Sequence, residues 1–179
     1  MENILYMNAV LPYTYMLVIY LLSKNTELWK EIGMRVYGVC GIGILVQILV
    51  TLIVTVLSVD AKKLAEVNLR VKLIQIPFYI IYFLMASMLF ALLMALMGIG
   101  IFFLPVLLAV DAAIFATTLI PAEFCAVALK TVNRISAGRM VAYLIFSSWY
   151  CVDLIPAFMM RHDFRKQTKL LYPPQNPWR

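Results

Sequence analysis

Residues Ile101 to Leu129 read IFFLPVLLAVDAAIFATTLIPAEFCAVAL. A helix needs about 20 predominantly apolar residues to cross the hydrocarbon of a bilayer, and this run exceeds that while containing no Lys or Arg. It does contain two carboxylates, Asp111 and Glu123. Acids inside a membrane segment are costly to keep there, so they rank as functional candidates.

The whole chain follows the same pattern. Of its 179 residues, 64% are hydrophobic and 13% charged, and its mean hydropathy is +0.93. A soluble domain runs at about 25% charged residues. This chain lacks the polar surface to cover itself in water, and its outer face is turned toward lipid. The expected fold is therefore an all-α, polytopic membrane helix bundle of about five transmembrane helices, at residues 4–23, 36–59, 73–97, 101–129 and 140–160, with a basic, proline-containing C-terminal tail at 161–179.

The first segment carries Glu2 instead of a basic leader and has no small-residue cleavage site, so it reads as a retained span. Pro12 lies inside it, which lipid-embedded helices tolerate when neighbours satisfy the freed carbonyl. Asn3, Asn8 and four tyrosines make it the most polar span. Residues 24–35 read as a short capped helix that begins at Asn25 or Thr26 and ends at Gly33. Gly38, Gly41 and Gly43 open the second span and permit close approach of another backbone, while Gln47, near the midplane, needs a partner from another helix. Residues 60–72 read as an interfacial amphipathic turn running into the third span.

In the third span Ser87, Ala91 and Ala95 recur at every fourth position, a small-residue stripe suited to helix packing. The fourth span offers Ala109, Ala112, Ala113 and Ala116 in answer, and Gly98 to Gly100 leave room only for a tight hairpin between the two. The Met-rich face of Met85, Met88, Met94 and Met97 reads as adaptable packing, not metal ligation.

Among the candidate chemical groups, Asp111 lies about 15 Å into the fourth span and Asp153 about 10 Å from the far end of the fifth, so the two come out at depths about 5 Å apart. They are expected to be able to meet, with no basic residue at matching depth. Glu123 comes out near the opposite interface. Proton or cation binding at Asp111, Asp153 and Glu123 is one reading. The plainer one has Asp111 and Asp153 protonated and bonded to Thr117, Ser147, Ser148 or Tyr150.

Other chemistries lack their parts. Cys40, Cys125 and Cys151 form no CxxC, and His162 is the single histidine. HExxH, GxSxG and paired acidic metal motifs are absent, so no catalytic residue, metal or cofactor is assigned, and an enzyme is the less favoured class. The net charge of +6 sits in connections and tail, which fits lipid headgroups better than nucleic acid. The expected partners are the lipid bilayer and either a protein partner or a second copy, with no nucleic acid.

The reading is thus a small transporter, or a membrane-embedded transporter subunit, with a protonatable midplane carboxylate. The alternative is a non-catalytic accessory protein that recruits a partner through its loops and basic tail. Five crossings with the N-terminus outside and the C-terminus cytoplasmic leave eight Lys and Arg inside against seven outside, almost no bias under the positive-inside rule.

Overall fold

A computed structural model describes residues 2–95, 100–132, 135–149 and 152–171. All regular structure among them is helical: α1 (Met7–Ser23, entered through a 3-10 turn at Glu2–Tyr6), α2 (Thr26–Val56), α3 (Ala61–Ala95), α4 (Gly100–Thr131), α5 (Ala137–Ser147) and α6 (Leu154–Leu171). Four helical segments, Glu2–Ser23, Thr26–Val56, Ala61–Ala95 and Leu107–Thr131, are long and apolar enough to cross a membrane.

The helix starts follow from local chemistry. Asn25 caps α2 by accepting from Leu28 N at 3.2 Å. Asp60 caps α3 with Oδ1 accepting from Lys62 N and Lys63 N at 3.0 and 3.1 Å, and Ser136 caps α5 through Arg139 N. Each satisfies donors that a helix N-terminus leaves unpaired. One expected break is absent. Gly33 does not end a short helix; α2 runs through it, and the Trp29 ring lies 3.1 Å from where a Cβ would be. The amphipathic turn at 60–72 is the first third of α3 with no interruption.

The glycines of the second segment do not admit a backbone. Nothing lies within 4 Å of a Cβ built on Gly38 or Gly41, and at Gly43 the neighbour is the Tyr15 hydroxyl, at 2.8 Å. The stripe Ser87, Ala91 and Ala95 is exposed among the described residues. The Gly98–Gly100 turn lies largely outside the described residues, as do Tyr150, Cys151 and the end of the tail.

The segment expected as a fifth span is two helices. α5 has 11 residues, about 17 Å of length against the roughly 30 Å of a bilayer core. The start of a separate helix at Leu154 has a local cause: in a continuous helix Pro156 would strand the Val152 carbonyl, whereas near the start of α6 its missing N–H costs nothing. α5 and α6 then fold back on each other, with Tyr143 OH donating to Asp163 Oδ2 at 2.7 Å. α6 runs antiparallel to the beginning of α3. Asp153, just before α6, meets Lys72, and about two and three turns later Arg161 and Arg165 reach Glu66 at 3.8 and 3.2 Å.

Both described ends of the chain therefore lie at one end of the bundle. There Glu2 bonds Lys63 at 3.1 Å and Ser58 at 3.2 Å, and Cys125 Sγ contacts the Ala61 carbonyl at 3.7 Å. The core at this end joins Leu5 and Ala9 of the first segment to Leu64, Val67, Val71, Ala122, Leu129, Tyr143, Met160 and Phe164.

Candidate functional site

The inward face of α3 is a ladder of polar groups. Asn68, Lys72 and Gln75 are buried, and Tyr79 and Tyr82 half-buried. Steps of three or four residues stack them on one side of the helix, and Lys72 to Tyr82 spans about 15 Å at the helical rise.

The outer rung is an ion pair. Lys72 Nζ, with its side chain 4% exposed, donates to Asp153 Oδ2, whose side chain is 14% exposed. An unpaired charge so placed would cost several kcal/mol, and a partner offsets most of that. Asp153 reaches Lys72 only because the α5–α6 turn carries it inward. Deeper, Tyr79 OH donates to Gln75 Oε1 at 3.4 Å, shares a hydrogen bond with Thr118, and lies within electrostatic reach of both Asp153 and Asp111. Tyr82, which also feels Asp111, donates to the Leu107 carbonyl at 2.9 Å.

Three helices carry a proline at this level, and polar side chains from neighbouring helices repair the consequences. Pro12 has no N–H for the Asn8 carbonyl, and Gln75 Nε2 donates to that oxygen at 2.6 Å. Pro121 likewise frees the Thr117 carbonyl, and Asn8 Nδ2 donates to it at 3.3 Å. Beside Pro77, the Tyr13 hydroxyl donates to the Ile74 carbonyl at 2.6 Å and accepts from Phe78 N at 3.1 Å. It thus bridges two groups that a regular helix pairs directly.

Asn8 is the hub of this layer. Its Nδ2 also donates to Thr51 Oγ1 at 2.8 Å, and its Oδ1 accepts from Gln47 Nε2 at 3.1 Å. One residue of α1 thereby ties α2, α3 and α4 together. Beside it, between α1 and α2, opens a cleft of about 240 Å³ whose wall is apolar except at Asn8, Gln47, Thr51 and Tyr15.

The residues singled out by sequence fall as follows. Gln47 is buried and bonded to Asn8. Asp111 is half-buried on α4. Asp153 is held by Lys72, which corrects the expectation that no basic residue stands at its depth. The hydroxyls expected to serve the acids are directed elsewhere: Thr117 donates to Ile114 O and Ser148 to Leu144 O, and buried Ser147 Oγ has no partner among the described residues. Glu123, half-buried, lies two residues from Cys125 and so close to the level of Ala61 at the end of the bundle.

Sequence reading missed Lys72, Gln75 and Tyr79 as site residues. The signal was present: Leu64, Asn68, Lys72, Gln75 and Tyr79 share one helical face. Among the described residues no group of three or more His, Cys, Asp or Glu is placed to hold a metal. Cys40 and Cys125 are free thiols, half-buried and buried. Compared with known protein families, with characterised proteins and with solved structures, the chain matches none.

Proposed function

We propose that the chain is a small proton-coupled transporter, or the membrane-embedded subunit of one. Protons pass between the Lys72–Asp153 pair and Asp111 by way of the Tyr79 hydroxyl, which its hydrogen bond to Gln75 Oε1 holds in place. The observation that supports this reading is the position of Tyr79 on the inward face of α3, bonded to Gln75 and in the electrostatic field of both Asp153 and Asp111. A phenol in such a place can pass a proton between carboxylates by accepting one and donating another. The proline-opened layer around Asn8 adds the means to move, because helices broken at one level and joined by side chains bend there more easily than regular ones.

The test is proton flux into vesicles containing the purified chain and a pH-sensitive dye, under an imposed gradient. Wild type dissipates the gradient faster than empty vesicles, and Asp111→Asn and Tyr79→Phe fall to the empty-vesicle rate. Undiminished flux in both variants ends the proposal. The exposed stripe Ser87, Ala91 and Ala95 favours an accessory role instead, since such stripes serve helix contacts. A chain that conducts nothing alone and copurifies with a heteromeric partner would support that role.

Orientation belongs to the same proposal. With α5–α6 folded back, Lys62, Lys63, Arg70, Lys130, Arg139, Arg161, Arg165 and Lys166 gather at one end of the described bundle, against Lys24, Lys30 and Arg35 at the other. Under the positive-inside rule the first end is cytoplasmic, and so are both chain ends, in place of an outside N-terminus. Tags at the two termini are expected to be shielded from an impermeant reagent in intact cells and labelled after permeabilisation. Labelling of one end alone in intact cells would mean that the last segment crosses.

A further inference from the structure

Away from the ladder, α5 and α6 enclose a groove of about 340 Å³ lined by Arg139, Phe158, Met159, His162, Asp163 and Lys166. We infer that this groove binds the headgroup and upper acyl chain of an anionic phospholipid.

The order of residues along α6 matches the order of groups along a lipid. Phe158 and Met159, 46% and 45% exposed, lie nearest the α5–α6 turn. His162 and Lys166 follow one and two turns outward, about 6 and 12 Å away from Phe158. Apolar side chains left open on the inward side and nitrogen-bearing donors on the outward side, with Lys166 the cation, suit acyl carbon below and phosphate above. Asp163 offsets one charge of the rim and leaves it net positive through Lys166. Its carboxylate accepts from Tyr143 OH at 2.7 Å and pairs with Arg139 at 3.6 Å and with His162 Nδ1 at 3.9 Å, which positions the Arg139 side chain, 52% exposed, at the edge of the groove. The site lies at the end of the bundle where the other basic residues collect, the end that would face an anionic leaflet.

The experiment is thermal unfolding of the full purified chain in neutral detergent, titrated with phosphatidylglycerol, phosphatidylcholine or inorganic phosphate. Phosphatidylglycerol is expected to raise the midpoint saturably, and the other two are not. In Arg139→Gln/Lys166→Gln the apparent affinity for phosphatidylglycerol falls by about tenfold or more, from the loss of two surface cations worth about 1 kcal/mol each. Lys24→Gln/Lys30→Gln, at the opposite end, leaves it unchanged. Midpoints without lipid show that both variants are folded. Equal stabilisation by phosphatidylcholine, protection by phosphate alone, or equal losses in both double variants would each overturn the assignment.

Discussion

Asp153→Asn destabilises the protein by about 3 kcal/mol or more, the usual cost of removing one partner from a buried ion pair. The Lys72 side chain is 4% exposed, so its charge has no route to water without disturbing the packing of α6 on α3. The double variant Lys72→Met/Asp153→Leu recovers most of that loss, because two apolar side chains of similar size leave no charge to desolvate. Unfolding free energies in mixed micelles, read as a double-mutant cycle, measure the coupling directly. If Asp153→Asn costs less than about 1 kcal/mol, the pair contributes no more than an exposed surface contact would. If the double variant is stable yet inactive in the flux assay, the pair serves transport beyond holding α6 in place.

Asn8→Leu has the second large effect, a loss of about 1–3 kcal/mol for each buried group left without a partner. Two groups are stranded: Gln47 Nε2, which donates to Asn8 Oδ1, and the Thr117 carbonyl, which accepts from Asn8 Nδ2. The role assigned to the proline makes a sharper expectation. Pro121→Ala returns an N–H to the Thr117 carbonyl, so Asn8→Leu should cost measurably less in that background. The same cost in both backgrounds would show that Asn8 does not serve the proline break.

Several elements could be read without coordinates. The runs in α1 to α4 are long and apolar because lipid leaves a spanning backbone no partner but itself, so composition alone dictates helix. The caps at Asn25, Asp60 and Ser136 are local chemistry within four residues. The requirement that Gln47 find a partner also follows from sequence, since a buried amide must be bonded, although the identity of that partner does not.

The last segment shows where such reading stops. Residues 140–160 have the length and hydropathy of a span, and only Asp153 and Pro156 speak against one. Pro156 acts locally, but Asp153 is held inward by Lys72, 81 positions away, which looks from its neighbours like part of a solvated face. A pairing between distant charges leaves no local periodicity, so the folding back of α6 and the arrival of both described ends on one side emerge only when α6 packs on α3. Hydropathy and helix capping, being local free energies, were determined by the sequence as it stands. The partners of Lys72, of the Asn8 carbonyl freed by Pro12 and of the Thr117 carbonyl freed by Pro121 were decided by the tertiary structure, because each is a buried polar group satisfied only by another helix.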